Sequence, residues 1–480
     1  MATDMKPPAS RRRWPALLTV ERARPEGIRA RPGGWWLAVG AVCFGAFMGQ
    51  LDASIVTLTY GSLRDEFRTS LAAVEWVSLA YLLTLVALLV PAGRLADAHG
   101  RKLLYLYGFA VFTLASAACG FAPCLLALVA FRVVQAAGAA MMQANSVALV
   151  TTSAPRERMR SALGVQAAAQ ALGLALGPTV GGALVSTLGW RWVFWVNVPV
   201  GVIALVGGHY LLPRTRARTR VARFDWRGLV LLASATTGAL MGVSAASGLP
   251  VPGWGVAALF AVAAVTGRGF VRRQRGTAAP LLDLALLRVR AVTFGLLGAF
   301  SGYLVLFGPL VLVPVVLTAR GTSELTAGLV LTALPTGFAL AATGGDRLLP
   351  HGLPDRGRCL AGAALFLAAT AALLVVPVTA AWLVPVLALT GLGLGTFTPA
   401  NNAMVMGAIP AGSSGTGGGL VNMTRGLGTA LGVALVTLAL HLAGSTGTQT
   451  GARWAAVVLV AASATAVASA WLSPRTGRKA

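Results

Sequence analysis

Two ionisable residues, Asp52 and Arg132, interrupt segments that are otherwise almost wholly apolar. Asp52 lies in the run 35–59 as part of the octapeptide QLDASIVT, and Arg132 lies in the run 124–150. A run of this length can cross a bilayer, where an ionised side chain costs about 2.5–3.5 kcal/mol even on insertion scales. Such a charge therefore indicates a function. Desolvation favours the protonated carboxyl group and a nearby guanidinium favours the carboxylate, so a change of geometry between the two groups would bind or release a proton.

The elements that position these residues must be membrane helices. Hydrophobic residues make up 56% of the 480 residues and charged residues only 11%, whereas soluble domains contain roughly 25% charged residues. Fourteen apolar windows, each of about 20 residues, are long enough to cross a bilayer as helices. The net charge of +25 resides mainly in the short connections between these windows. This distribution indicates membrane orientation and not nucleic-acid binding.

Most of the Lys and Arg residues fall in alternate connections and in the first 34 residues. This positive-inside bias predicts an even number of spans, with a basic tail at 1–34 and a short tail at 473–480 both in the cytoplasm. The basic tail contains no apolar core with a cleavage site, so a signal peptide is not expected. Arginine greatly outnumbers lysine and alanine and glycine are abundant, which suggests a GC-rich bacterial genome. We therefore expect the bacterial cytoplasmic membrane as the location.

The topology gives the two charges matching depths. At about 1.5 Å rise per residue, Asp52 lies about 10 Å from the outer end of the first span, and Arg132 lies about 12 Å from the outer end of the fourth. We therefore expect their side chains to approach each other. A static structural salt bridge is the alternative to a functional pair.

The connection between the second and third spans reads GRLADAHGRK, from Gly93 to Lys102. Its glycines permit a tight turn, and Asp97 can pair with an arginine or with the positive end of a neighbouring helix. A solvated positive-inside loop is the alternative. The pattern GxLADxxGRK resembles the hallmark motif of the major facilitator superfamily, where it latches the two halves of the transporter in the outward-open state. This resemblance implies an inner-loop latch formed by Gly93, Asp97, Gly100, Arg101 and Lys102.

The fifth span contains the sequence GLALGPTVGG, from Gly173 to Gly182. Gly173, Gly177 and Gly181 fall four residues apart on one helical face, which lets a neighbouring helix approach closely, and Pro178 kinks the helix. The glycine spacing by itself indicates only packing. The full pattern GxxxGPxxGG, which ends at Gly181 and Gly182, resembles the antiporter motif of the superfamily's drug exporters.

Two further stretches, WRWVFWVNVPVG at 190–201 and DWRG at 225–228, resemble the fourteen-span drug:proton antiporter subfamily. The resemblance implies an all-α integral membrane protein with the major facilitator fold. An amino-terminal six-helix bundle is expected at 35–213, a linker with two extra transmembrane helices at 214–290, and a carboxy-terminal six-helix bundle at 291–472.

The resemblance also assigns roles to the buried charges. The LDxTIV motif of the subfamily's first span appears as LDASIV around Asp52, and the RxxQG motif of its fourth span appears as RVVQA from Arg132. In the family this Asp and this Arg are implicated in proton coupling. Glu75, at the mouth of the second span, is a second candidate acid for proton coupling, although such a residue is more often a solvated helix cap.

Polar residues in two spans are candidates for the substrate cavity: Gln135 and Asn145 in span four, and Asn422 and Arg425 in span thirteen. No acidic residue follows Asp355, so Arg425 must pair with a carbonyl group, water, an acid from elsewhere or an anionic substrate. Some relatives carry additional membrane carboxylates in this half for dicationic substrates. Their absence from this sequence favours neutral, monocationic or acidic amphiphiles.

Together these features predict a proton-coupled antiporter that exports amphipathic drugs or antibiotic-like metabolites by alternating access. Its expected partners are protons, a small amphipathic substrate and the lipid bilayer, and the monomer is expected to be functional. The sequence contains no Walker-type loop, metal-ligand spacing or catalytic triad, which predicts no enzymatic activity, no metal and no cofactor, with the proton gradient as the energy source. A proton-coupled solute symporter of the same fold and a non-transporting membrane sensor are the alternatives.

Overall fold

Long helices dominate the structure, a computed structural model. It describes residues 21, 24–29, 33–215, 224–246, 251–348, 350, 353–442 and 448–474, and the regular structure within these ranges is entirely helical. Fourteen long helices follow one another through the described ranges: α1 Trp35–Ile55, α2 Leu71–His99, α3 Arg101–Gly120, α4 Leu125–Ser153, α5 Met159–Thr187, α6 Asn197–Leu211, α7 Trp226–Ala246, α8 Gly253–Gly276, α9 Arg290–Thr318, α10 Ala333–Leu348, α11 Asp355–Ala372, α12 Ala380–Gly407, α13 Ser414–Leu442 and α14 Thr448–Leu472.

Shorter helices extend three of these elements. A 3₁₀ turn over Val56–Thr59 continues α1 into the short helix Tyr60–Phe67, the helix Arg191–Trp195 precedes α6, and the helix Glu324–Leu331 precedes α10. In each case the short helix and the long helix together form one candidate membrane span.

Thirteen helices in the described ranges are long and apolar enough to cross a membrane. The fourteenth, α11, contains 18 residues and begins with DRGR, so Asp355, Arg356 and Arg358 make its first turns polar. At about 1.5 Å per residue this helix is still about 27 Å long, close to the thickness of a bilayer core of about 30 Å. The all-α membrane fold predicted from the sequence is confirmed.

The long helices pack in two groups. In the first group α1 contacts α4, α5 and α6, and α3 contacts α4 and α6; in the second group α9 contacts α12, α13 and α14, and α11 contacts α12 and α14. The groups meet where α2 and α4 pack on α13 and where α5 packs on α10 and α12. The helices α7 and α8 pack on each other, and α7 also contacts α2 and α13. Only 6% of the apolar window of α8 is buried, so lipid must solvate most of its surface.

Glycine residues allow the third and fourth helices of each group to pack closely against each other. A Cβ atom at Gly108 of α3 or at Gly138 of α4 would lie 2.8 Å from the other glycine's carbonyl oxygen. In α11 and α12, a Cβ atom at Gly362 would lie 2.6 Å from the Gly393 carbonyl oxygen, with the converse distance 2.7 Å. Such contacts leave no room for a side chain, so both helix pairs require glycine. The third and fourth helices of each group therefore share one packing device, as expected of parallel repeats.

Candidate functional site

A cavity of about 570 Å³ lies between the two groups of helices. Helices α1, α2, α4, α5, α9 and α13 contribute its walls, which are mainly aliphatic and aromatic. A volume in this range suits a drug-sized ligand. The polar and charged lining residues are Gln50, Ser54, Thr57, Ser78, Tyr81, Arg132, Gln143, Gln170, Tyr303, Asn422, Arg425 and Thr429. Among the described residues, this lining contains two cations and no carboxylate.

Asp52 lies behind the cavity wall, with no exposed surface. Its Oδ2 accepts a hydrogen bond from Arg132 Nη1 at 2.6 Å, and its Oδ1 accepts from Gln135 Nε2 at 3.0 Å and from Asn197 Nδ2 at 2.9 Å. Ser116 Oγ accepts from both amides, each at 3.1 Å, and donates to the Phe194 carbonyl oxygen. Residues of α1, α3, α4 and α6 thus form one polar cluster, here called the Asp52 cluster. A buried ion pair of this kind depends on such additional hydrogen bonds, because desolvation of both charges opposes it.

Arg132 separates Asp52 from the cavity. Its guanidinium carbon lies 4.0 Å from the centroid of the Tyr81 ring, and its Nε donates to the Val77 carbonyl oxygen at 3.1 Å. Arg132 is 1% exposed and lines the cavity, whereas Asp52 does not. The guanidinium is therefore held by a carboxylate on one side and an aromatic face on the other, an arrangement that suits the planar arginine side chain and not lysine.

The glycine face of α5 packs directly on α1 beside Asp52. A Cβ atom at Gly173 would collide with the Phe47 carbonyl oxygen, and one at Gly177 would collide with the Ser54 hydroxyl group. At Gly181 a Cβ atom would lie 2.6 Å from a side-chain carbon of Ile55. Movement of α5 must therefore move α1 with it. Gly182 has open space at its Cβ position, and the Pro178 side chain lies outside the described part of the structure.

Asp97 joins the two groups of helices at the end of the molecule where α2 meets α3, here called the latch end. Its Oδ1 accepts from the Gly415 backbone N–H, and its Oδ2 accepts from the backbone N–H and the hydroxyl group of Thr416, all at 2.8 Å. Arg101 Nη2 donates to Asp97 Oδ1 at 2.9 Å and to the Ala411 carbonyl oxygen at 2.6 Å. The carboxylate thus caps the positive amino-terminal end of α13, which stabilises closure at this end.

The remaining latch residues fix the loop itself. Gly93 lies so close to the Gly415 backbone that no side chain fits between them, and Gly100 has a φ of +112°, which disfavours other residues. Lys102 is 1% exposed, and its Nζ donates to the carbonyl oxygens of His209 and Leu212 at 2.7 and 2.9 Å. These residues are buried in contacts, unlike those of a solvated loop.

A residue of the amino-terminal tail, Glu21, joins the latch. Its Oε1 accepts from the Thr215 hydroxyl group at 2.7 Å and from the Leu103 backbone N–H at 3.3 Å. Thr215 Oγ1 in turn accepts from the backbone N–H groups of Arg101 and Lys102. Sequence reasoning missed Glu21, which is one of three acidic residues, with Asp4 and Glu26, in the basic tail.

Two of the predicted substrate-cavity residues, Gln135 and Asn145, do not line the cavity. Gln135 is fully buried in the Asp52 cluster. Asn145 is also fully buried, and its Nδ2 donates to the Met141 carbonyl oxygen of the preceding turn. The cavity is lined instead by Gln143, because two residues rotate the helix by about 200°. Glu75, near the start of α2, belongs neither to the cavity lining nor to the Asp52 cluster.

The predicted cavity residues of α13 do face the cavity. Asn422 Nδ2 donates to the Gln143 carbonyl oxygen at 2.7 Å and so joins α13 to α4. Arg425 Nη1 donates to Asn422 Oδ1 at 3.1 Å, and the Arg425 guanidinium carbon lies 5.0 Å from the centroid of the Tyr303 ring.

Sequence reasoning did not single out Asn197, Ser116, Tyr81 or Tyr303. Asn197 lies within the subfamily-like stretch at 190–201, which was a signal that could have found it. The other three carry no motif. In the described residues no group of three or more His, Cys, Asp or Glu side chains could hold a metal ion.

Comparison with known proteins identifies the class. The sequence model of the Major Facilitator Superfamily matches residues 42–433. The tetracenomycin C resistance and export protein of Streptomyces glaucescens is 32% identical over 431 residues, which cover 87% of this chain and 77% of that protein. The methylenomycin A resistance protein of Streptomyces coelicolor is 31% identical over 428 residues, which cover 86% of this chain and 87% of that protein. The chain therefore belongs to the Major Facilitator Superfamily.

A solved structure agrees in fold. The crystal structure of the human organic anion transporter MFSD10 matches with a TM-score of 0.64 and covers 92% of this chain and 100% of that one, at 17% sequence identity. At this identity the likeness concerns the fold alone. The protein is thus a multi-pass membrane transporter with the major facilitator fold, as the sequence resemblance implied.

Proposed function

We propose that this transporter exports amphipathic drugs or antibiotic-like metabolites across the bacterial cytoplasmic membrane in exchange for protons. The observation that carries the proposal is Asp52, a fully buried carboxylate held by Arg132 at the wall of an apolar cavity. The names of the two relatives support the substrate class, since one is a tetracenomycin C resistance and export protein and the other a methylenomycin A resistance protein.

The positive-inside bias of the sequence favours an orientation with the latch end and both termini in the cytoplasm. In this orientation the Asp97 contacts close the cytoplasmic end. The cavity extends toward the opposite end, where Thr57 and Leu331 belong to its lining. We therefore interpret this conformation as outward-facing. The bundles at 35–213 and 291–472, joined by the linker at 214–290, would be the two halves that rock about the cavity.

Protonation of Asp52 is the proposed coupling step. A proton that enters from the outside binds Asp52 and removes its negative charge, so the bond from Arg132 weakens. The guanidinium then shifts from its place over the Tyr81 ring, which changes the shape of the cavity wall, and the bound substrate leaves to the outside. Deprotonation toward the cytoplasm restores the ion pair and resets the site. Glu75, near the outer end of α2, is proposed as a second acid on the proton's path.

The glycine face of α5 connects this step to the conformational change. It packs on α1 next to Asp52, and α5 also contacts α10 and α12 of the second group. A shift of α1 on protonation therefore reaches the interface between the halves. The proton gradient is the proposed energy source, no cofactor is required, and the monomer is the proposed functional unit.

Everted membrane vesicles test the proposal. They would contain the wild-type protein, Asp52→Asn, Arg132→Ala or the control Asp65→Asn, which changes an aspartate that is 71% exposed. A pH-sensitive dye reports proton release from the acidified lumen when aromatic amphiphiles of either charge or none are added. We expect substrate-dependent proton release for the wild type and the control, and its loss in Asp52→Asn and Arg132→Ala.

Full coupled exchange by Asp52→Asn would contradict the mechanism. A symporter would instead accumulate substrate only in right-side-out vesicles with an inward proton gradient. A membrane sensor would move no substrate in either preparation.

A further inference from the structure

Arg425 is a cation in the interior of the protein with no carboxylate partner among the described residues. It lies about 16 Å from the start of α13, at about 1.5 Å rise per residue, and is 4% exposed. Its Nη1 donates to Asn422 Oδ1, its guanidinium faces the Tyr303 ring, and its buried Nε has no hydrogen-bond partner in the described structure. The residue therefore keeps unused donor capacity.

The sequence offers no carboxylate of its own for this position. Three acidic residues occur from 291 onward: Glu324, Asp346 and Asp355. Glu324 begins the short helix before α10, Asp346 falls in the last turn of α10, and Asp355 pairs with Arg160 at 2.8 Å. All three belong to helix ends, whereas Arg425 lies near the middle of α13.

Arg132, which lines the same cavity, differs from Arg425 because it has a carboxylate partner. Its charge is compensated by Asp52 behind the wall, with a bond of 2.6 Å. Arg425 has an amide and an aromatic face in place of a carboxylate. A desolvated charge without a counter-ion is unfavourable, so an anion that enters the cavity gains most of its interaction at Arg425 and not at Arg132.

The surroundings of Arg425 suit an aromatic acid. Tyr303 and Phe307, which both line the cavity, have ring centroids 6.2 Å apart and an interplanar angle of 22°. Leu82, Leu85 and Val86 of α2 line the same cavity. A planar apolar body can pack against these aromatic and aliphatic side chains, and a guanidinium recognises a carboxylate through paired N–H donors.

We propose that Arg425 binds the acidic group of the exported substrate, which is an aromatic amphiphile with a carboxylate or an ionised phenol at one end. The acid contacts Arg425 and the ring system packs against Tyr303 and Phe307. This assignment rests on the proposed export function for the direction of transport. Binding itself does not require proton coupling.

A matched pair of probes tests the charge preference in the purified full-length protein. Anthraquinone-2-carboxylate and anthraquinone-2-carboxamide share one ring system and differ in charge at pH 7. We expect the wild-type protein in detergent to bind the carboxylate at least about tenfold more tightly than the carboxamide. In Arg425→Gln the two affinities become equal within about twofold, because only the carboxylate loses its partner.

Two further variants separate binding from folding. Arg425→Lys keeps the charge and retains part of the preference, while Tyr303→Leu weakens both probes equally because it removes the ring from their shared body. Thermal unfolding and gel filtration check that each variant is folded. A structural role for Arg425 alone would lower the melting temperature and weaken both probes together, with the wild type showing no preference for the carboxylate.

The outcomes distinguish this proposal from the proposed function. Equal binding of the two probes by the wild type, or an intact preference in Arg425→Gln, overturns the anion site. A carboxylate preference that Arg425→Gln abolishes, combined with no proton release in vesicles, supports the anion site and contradicts proton-coupled export.

Discussion

Arg132 donates to Asp52 at 2.6 Å and places its guanidinium between that carboxylate and the central cavity. A proton or substrate in the cavity therefore meets the arginine before the acid. Because Tyr81 covers the guanidinium at 4.0 Å and the Val77 carbonyl oxygen accepts from its Nε, movement of Arg132 must break several contacts at once. This favours two discrete positions of the side chain over a continuous range.

Loss of Asn197 should slow coupled exchange. Its amide donates to Asp52 Oδ1 at 2.9 Å and to Ser116 Oγ at 3.1 Å, so it positions the carboxylate within the Asp52 cluster. In Asn197→Ala the carboxylate loses one of its three donors. A hydrogen bond to a charged group is worth about 1.5–3 kcal/mol, so we expect the rate of exchange to fall about tenfold or more. The measurement is the initial rate of substrate-dependent proton release in vesicles, normalised to the amount of protein.

Asn145→Ala is the matched control for Asn197→Ala, since Asn145 is equally buried in the same group of helices and bonds only the preceding turn. Its rate of exchange should match that of the wild type. An unchanged rate in Asn197→Ala would show that this amide does not influence the function of the Asp52 cluster.

Gly173→Ala should destabilise the protein and slow transport. Its new methyl group would collide with the Phe47 carbonyl oxygen, which belongs to the backbone and cannot rotate away. Overpacking of this kind costs about 1–3 kcal/mol. Gly182→Ala is the matched control in the same helix, because its Cβ position is open. Thermal unfolding in detergent checks the prediction, and equal melting temperatures for the two variants would contradict a direct contact between α5 and α1.

The sequence predicted the fold and the proximity of Asp52 and Arg132 for physical reasons. The lengths of the apolar segments give the number of membrane spans, and the distribution of Lys and Arg gives their orientation. Asp52 and Arg132 then fall at similar depths in two spans, which predicts that their side chains meet. The ion pair at 2.6 Å confirms this contact. Proton coupling by this pair stays a prediction. The choice between Gln143 and Asn145 could not be predicted, because both are polar residues in an apolar helix and only the rotation of α4 decides which faces the cavity.

Ser116 and Tyr303 were missed for a related reason. Their roles come from partners on other helices, Asn197 for Ser116 and Arg425 for Tyr303, and no spacing along the chain encodes these contacts. Because acidic residues are few, the sequence showed that Arg132 has a candidate carboxylate partner in Asp52 and that Arg425 has none. The sequence did not show that both arginines line the same cavity.

Asp225 should stabilise the α7–α8 pair in a pH-dependent way. Burial raises the pKa of Asp225, but hydrogen bonds from the Gly228 backbone N–H, Arg273 and Gln274 outweigh it and hold the pKa below its ordinary value. Folding therefore gains stability from this carboxylate above the ordinary pKa of about 3.9, and the gain is lost as the pH falls toward the lower folded-state value. We expect Asp225→Asn to lower the melting temperature at pH 7 by about 2–4 °C.

The difference between Asp225→Asn and the wild type should shrink at pH 3.5 or below, where the wild-type carboxyl group begins to protonate in the unfolded chain. The control Asp65→Asn should show little change at either pH because its carboxylate is exposed. A melting-temperature difference that is the same at both pH values would contradict an ionic contribution from Asp225.

Weakening of the latch should open the latch end. Asp97 accepts from the Gly415 and Thr416 backbone N–H groups, and Asp97→Asn replaces the carboxylate with a neutral amide that caps the positive end of α13 less strongly. We expect the population to shift from the present conformation toward one with the latch end apart. Asp65→Asn, at the opposite end of the first group, is the control.

Distances between spin labels at two exposed latch-end positions, Glu157→Cys and Gly412→Cys, measure this shift. The labelled protein should carry Cys124→Ser, because Cys124 is an exposed free cysteine. In Asp97→Asn a second, longer distance between the labels should appear or become more populated. In the wild type and the control its population should remain small. If the distance distribution does not change in Asp97→Asn, closure of the latch end does not depend on the carboxylate. The contacts of Gly93 with Gly415 must then be sufficient to keep this end closed.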